Sequence, residues 1–266
     1  MSRYISKRNV PAAVIAIALL SALAIAFSRA RLRAENFEVS LRQSRIPETV
    51  LWAWERPTDL RFIDPNQAGV AFLARTIRLQ TDEVVMTPRF QPLNLPPQAK
   101  VIAVVRVESD ASSAPLLTAQ QMMRLAEEIQ AVAGLPNVLA VQIDFDATRS
   151  ERDFYRKVII EVRRRLPQSV GLSITALASW CADDDWLSDL PIDEAVPMLF
   201  RMGADRQLIK NRVSAHEEFA AGPCRSSYGI STDEPMEGLL PGKRLYVFNP
   251  RAWTEESVHA VLESRK

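Results

Sequence analysis

Histidine is almost missing from this chain: there are two in 266 residues, His216 and His259. Both fall in helical patterns away from any candidate strand end. Metal-dependent hydrolase barrels draw several histidines from strand ends, and a Ser-His-Asp site needs one well-placed ring. Neither chemistry is expected. Glycine is also scarce. None of the eight glycines falls in a GxGxxG or P-loop arrangement, which argues against a dinucleotide or P-loop nucleotide site. We therefore expect no metal and no cofactor. Charge of one sign is lacking too: the formal net charge is +1, too little to attract nucleic acid or anionic lipid globally. The run Arg163-Arg164-Arg165 sits on a helix pattern and reads as a solvated face.

Cysteine is limited to Cys181 and Cys224. Neither has a Cys or His neighbour at ligand spacing, and Cys181 has no histidine partner for thiol catalysis. Two cysteines are the natural count for one disulfide in an oxidising compartment; the alternative is a pair of buried thiols. The first 30 residues favour the disulfide. Arg3, Lys7 and Arg8 precede an apolar run from Val10 to Phe27, interrupted only by Pro11 and Ser21. Its length is short for a bilayer span and long for a secretory core. Ser28 and Ala30 suit a signal peptidase, whereas Arg29, Arg31 and Arg33 disfavour clean cleavage. Signal peptide and membrane anchor stay open for residues 1–30, and both place the rest in the periplasm or otherwise outside the cytoplasm. Loss of these residues removes four of the 33 basic residues and none of the 32 acidic ones, which leaves a mildly acidic domain. Residues 31–48 are polar and irregular and read as a tether.

From residue 49 to residue 266 short apolar runs alternate with helical patterns. Val50–Trp54, Gly69–Leu79, Val101–Val107, Val138–Phe145, Val170–Leu177, Ala195–Phe200, Ser227–Ser231 and Leu245–Phe248 read as strands. Val101–Val107 is almost wholly β-branched, as in a strand buried on both faces. Thr118 and Gln121 form a capping box, and the helix they open stops at Gly134. Ser150 with Asp153 starts the next helix, striped by Phe154, Tyr155, Val158, Ile159, Val162 and Leu166. Thr254 caps a last helix. Pro88–Pro97 reads as loop. Eight strands in this alternation predict a single α/β domain, a (β/α)8 TIM-barrel; an open doubly wound sheet is the second choice.

In such a barrel the site lies at the C-terminal strand ends. The fourth run ends in Gln142-Ile143-Asp144-Phe145-Asp146, and the two-residue spacing puts Asp144 and Asp146 on one face. Like charges in one place push one carboxyl up and leave the other ionised, which suits acid and base or acid and nucleophile. The bland alternative is an Asp-rich turn before the next helix. Glu55, Glu108 and Glu234 follow other strands and are candidate second carboxylates. Trp54, Trp180 and Phe248 offer platforms for the apolar face of a sugar, and Arg56 and Arg201 can orient its polar groups. Asp183–Asp185 reads as a helix cap or a solvated run.

Leu51–Pro57, Val141–Ala147, Ser173–Trp180, Pro197–Gly203 and Tyr228–Pro235 together resemble the bacterial family catalogued as domain of unknown function 3142. The resemblance covers nearly everything after the tether and implies a TIM-barrel-like fold with no assigned activity. Ile143-Asp144-Phe145-Asp146 is more distantly similar to the fourth-strand motif of chitinase-type glycosidases. Thr148 stands where their acid glutamate would be, and Val141 where their first aspartate would be, so that mechanism does not transfer. The expectation is an exported, glycoside hydrolase-like barrel with a carbohydrate ligand and no nucleic-acid partner, meeting the membrane only through an uncleaved N-terminus. A saccharide- or envelope-binding barrel without catalysis is the second reading, and an anchored scaffold the third. A carboxyl pair about 5–5.5 Å apart would imply retention, and about 6.5–9.5 Å inversion.

Overall fold

The computed structural model describes residues 21, 24–29, 38–182, 184 and 186–265. Most of the N-terminal apolar run, much of the tether, and Asp183 and Asp185 lie outside them. No helix among the described residues is long and apolar enough to cross a membrane.

The elements follow in the order β1 (Thr49–Ala53), β2 (Thr58–Asp59), β3 (Ala68–Gln80), β4 (Glu83–Pro88), β5 (Leu93–Asn94) and β6 (Val101–Ser109). Then come α1 (Ala119–Ala131), β7 (Val138–Phe145), α2 (Arg152–Arg165), β8 (Gly171–Leu177), the short α3 (Ala178–Ala182) and β9 (Glu194–Met198). The chain closes with α4 (Arg206–Ser214), β10 (Ser227–Ser231), β11 (Arg244–Phe248) and α5 (Glu255–Glu263). Strands β1, β3, β6, β7, β8, β9, β10 and β11 pair in parallel in that order, and β11 returns to β1. This is a closed eight-stranded parallel barrel of the TIM type. Its strands coincide with the eight expected runs, because residues packed on both faces must be apolar on both.

The helical ring is incomplete. Helices follow β6, β7, β8, β9 and β11, whereas β1–β3 and β10–β11 are joined by loops or short pairings. Between β3 and β6 the chain instead forms the antiparallel strand β4, with Thr76 opposite Thr87 and Ile77 opposite Met86. The Pro-rich stretch expected as loop also contributes Pro88 to β4, and Leu93–Asn94 to the small β2–β5 pairing.

Two packing layers surround the strands. Outward residues such as Ile143, Leu172 and Ile174 meet the helices, with the α2 stripe Phe154, Tyr155, Val158, Ile159 and Val162 buried against them. Inward residues fill the barrel, where Trp52 packs against Phe200 and Tyr246. A Cβ on Gly229 would stand 3.0 Å from Met198 Sδ and 3.1 Å from a Trp52 ring atom, so only glycine leaves room for the indole. Trp52 Nε1 donates to Gln142 Oε1 at 3.0 Å, and Gln142 Nε2 donates to Ser173 Oγ at 3.1 Å. A hydrogen-bonded chain thus spans the buried centre, as buried polar groups require.

At the N-terminal end of the barrel, Glu194 is 2% exposed and faces Arg244 Nη1 at 2.7 Å and the Tyr246 hydroxyl at 3.1 Å. Arg244 also donates to the Gln43 and Pro47 carbonyls, and Arg42 clasps Asp193 through two nitrogens at 2.6 and 2.9 Å. The compact unit therefore begins at Arg42, inside the stretch that reads as a tether from sequence.

The α1 capping box is Thr118–Gln121, as expected. The turn into α2 is set by Thr148 and Glu151 rather than by Ser150 and Asp153. Glu151 is preferred because its other carboxylate oxygen also accepts from Ser109 Oγ on β6. Cys181 on α3 is bonded to Cys224, with Cα atoms 5.8 Å apart, so the two thiols are not free. A disulfide of this kind belongs to an oxidising environment.

Candidate functional site

The C-terminal mouth divides into two adjoining parts. Beside β6 and β7 opens a cleft of about 670 Å³, whose charged walls are Arg78, Arg106, Glu108, Asp110, Asp144, Asp146 and Glu151. Register places Arg106 opposite Asp144 on neighbouring strands, so both project into the barrel mouth. Asp144 is half-buried, and Thr175 Oγ1 on β8 donates to its Oδ1 at 2.6 Å. Burial pushes the Asp144 carboxyl above the usual aspartate range. The Thr175 hydroxyl and the Arg106 guanidinium pull it back, while the charges of Asp146 and Glu108 push the same way as burial. Asp146 lies just past the strand end and is exposed. Glu108 is bridged to Arg106 at 2.8 Å and to Arg78 at 3.7 Å.

Beside β1 and β11 lies a smaller pocket of about 250 Å³, walled by Trp54, Phe248 and Trp253 with Glu55, Arg56 and Arg251 at its edge. The two parts meet at Trp54, because the Arg106 guanidinium lies 5.8 Å from the centre of its ring. Phe248 stacks on Phe200 with 5° between ring planes and 5.6 Å between centroids. The Arg201 guanidinium lies over the Phe248 ring, 5.0 Å from its centre. Arg201 has φ +50°, a left-handed conformation that a branched-chain-free but Cβ-bearing residue adopts at a cost. Its backbone N–H donates to both Glu234 oxygens, at 3.2 and 3.3 Å, which secures that conformation.

The expected residues therefore separate. Asp144, Asp146 and Glu108 share the acidic cleft. Trp54, Arg56, Phe248 and Glu55 share the aromatic pocket, with Arg201 above Phe248. Two positions need correction. Glu234 is occupied by the Arg201 amide and by Arg206 at 3.3 Å, and it lines neither the acidic cleft nor the aromatic pocket. Trp180 is 4% exposed, edge-on to Trp186 at 5.1 Å and beneath Arg152, so it is core and no sugar platform. The strand ends at Leu177, and α3 carries the indole into the layer between strands and helices rather than to the mouth.

Three contributors were not singled out from sequence. Thr175 holds Asp144. Arg89, after β4, donates to the Ala53, Trp54 and Arg56 carbonyls and pins the segment that presents Trp54. Burial lowers the Arg89 pKa, and the charge of Glu55 opposes this. Arg251 lies in a loop. Only Thr175 had a legible signal, since Ser173 and Thr175 alternate with apolar residues along β8.

A further cleft of about 710 Å³ opens beside β4 and α1, but no barrel strand end lines it. Among the described residues, no group of three or more His, Cys, Asp or Glu is arranged to hold a metal ion. No family model, curated protein or solved structure matches the chain.

Proposed function

We propose that this protein is an exported, glycoside hydrolase-like barrel that acts on a carbohydrate through strand-end carboxylates. The observation that carries it is the grouping of Asp144, Asp146 and Glu108 in one open cleft that runs into an aromatic pocket. Asp144, half-buried and held toward its protonated form, serves as the proton donor to the leaving oxygen. Asp146 or Glu108 serves as the second carboxyl group, which attacks or activates water. Trp54 and Phe248 give the apolar faces of sugar rings a surface to lie on. The Cys181–Cys224 bond and the apolar N-terminal run support placement outside the cytoplasm, and motifs such as Tyr228–Pro235 support membership of domain of unknown function 3142.

A glycan array on the full chain, followed by product analysis with bound glycans, tests this. Asp144→Asn should abolish product release, and so should one of Asp146→Asn and Glu108→Gln, whichever residue is the partner carboxylate. No released sugar from the wild type on any bound glycan would remove the catalytic half of the proposal.

One observation favours a second reading, a saccharide-binding barrel without catalysis. Thr148, at the position of the chitinase acid, is committed to the turn into α2, and Glu151 is tied to Thr148 and Ser109. In that case glycans bind, Asp144→Asn weakens binding, and no bond is cleaved.

A further inference from the structure

Charge is unevenly distributed around the mouth. The cleft beside β6 and β7 carries Glu108, Asp110, Asp144, Asp146 and Glu151 against Arg78 and Arg106. The pocket beside β1 and β11 carries Arg56 and Arg251 against Glu55, and Arg201 lies over the Phe248 ring that walls it. Two of these cations are uncommitted. Arg251 is exposed, and among the described residues its only hydrogen bond is through the backbone, to Asn249 Oδ1 at 3.0 Å. The exposed Arg201 guanidinium has the Phe248 ring as its only side-chain partner among the described residues. Arg56 spends one nitrogen on the Pro250 carbonyl.

A guanidinium presents a planar fork of donors suited to carboxylate or phosphate oxygens. Most arginines elsewhere on this barrel are already bridged, for example Arg75 to Glu128 and Arg152 to Asp184. The backbone of Arg201 is held left-handed by Glu234, which fixes where its side chain begins. The Phe248 ring, stacked on Phe200, lies under the Arg201 fork and lines the same pocket as Arg251.

We infer that the carbohydrate taken by this mouth is acidic: a saccharide whose carboxylate or phosphate group seats at Arg201 and Arg251 beside Phe248. Other rings of the same chain run past Trp54 to Asp144 and Asp146. This rests on the saccharide reading above and names the substrate class for the same site. The Glu55 carboxylate faces the same pocket and disfavours a second acidic group there, so one anionic substituent per bound segment is the expected pattern.

The test is direct binding of three probe sets to the full chain: neutral hexose oligomers, hexuronic acid oligomers and phosphorylated hexose oligomers of equal length. The acidic oligomers should bind about 10-fold more tightly than the neutral ones, or about 1.4 kcal/mol, and their advantage should shrink with added salt. Arg201→Gln and Arg251→Gln should each remove most of that advantage, bringing acidic oligomers close to the neutral ones. The uronic and phosphorylated arms tell which acid group is used. Because Arg201 has an unusual backbone, Arg251→Gln, on an exposed loop, provides the control for folding, and Arg251→Lys should restore part of the preference. Equal binding of neutral and acidic oligomers, unchanged by either variant, overturns the inference and leaves the saccharide reading standing. Binding of none of the three sets overturns both.

Discussion

Thr175 Oγ1 donates to Asp144 Oδ1 at 2.6 Å, joining two adjacent barrel strands at the floor of the acidic cleft. Among the described residues it is the one hydrogen bond that offsets the burial acting on this carboxyl, and the net upward shift has an energetic consequence of definite sign. Burial raises the folded-state pKa of Asp144 above the unfolded value, near 3.8. The native protein then holds this proton more tightly than the unfolded chain. Its stabilising contribution is complete below the unfolded value and is lost as pH rises through the folded one. Asp144→Asn should therefore be more stable than the wild type at neutral pH, with the difference shrinking toward pH 4. Urea unfolding across that range checks this; a variant less stable than the wild type at pH 7 contradicts it.

If Asp144 is the acid, hydrolysis should decline as pH rises through its elevated pKa. Thr175→Val removes the donor that favours the charged form and should move this limb to higher pH. A pH–rate profile of kcat/KM that stays in place argues against Asp144 as proton donor.

Trp54 and Trp180 should respond in opposite ways. Trp180→Ala empties a packed site against Trp186 and should cost about 3–5 kcal/mol of stability without a specific effect on ligand affinity. Trp54→Ala, half-buried at the mouth, should weaken glycan binding by roughly 10-fold, a typical cost for losing an aromatic platform, with much less effect on unfolding. Calorimetric Tm and binding titration on both variants separate the two.

The Cys181–Cys224 bond closes a sequence separation of 43 residues. Chain-entropy reasoning assigns such a loop about 4 kcal/mol. Cys181→Ala with Cys224→Ala should lower Tm on the order of 10 °C, and reduction of the wild type should approach the same value. Thermal unfolding with and without reductant measures it.

Glu194 lies in the barrel with Arg244 as its counter-charge. Arg244→Met strands a buried carboxylate and should cost about 3–5 kcal/mol. Combining it with Glu194→Gln should recover much of that loss, which a double-mutant cycle in urea reports.

The barrel was legible in the chain itself. Eight short apolar runs, of which Val101–Val107 is mostly β-branched, can satisfy burial on two faces in a parallel sheet, and their spacing leaves room for closure. The pairing of Asp144 with Asp146 was legible for a similar local reason, since a period of two puts them on one face. The capping box at Thr118 and Gln121 depends on neighbours three residues apart and was equally readable. Features set by distant partners were not. Val84, Val85 and Met86 form too short a run before Pro88 to announce β4, which exists because β3 extends past the barrel to pair with it. Trp180 reads from sequence as a strand-end platform, but α3 buries it between strands and helices; Glu234 reads as a candidate carboxylate, but it accepts from the Arg201 amide. Sequence determined which residues must be buried and which share a face, because those depend on spacing along one strand or helix. Only the closed tertiary structure decided which strand ends share a cleft, because that depends on the order and register in which eight separate strands meet.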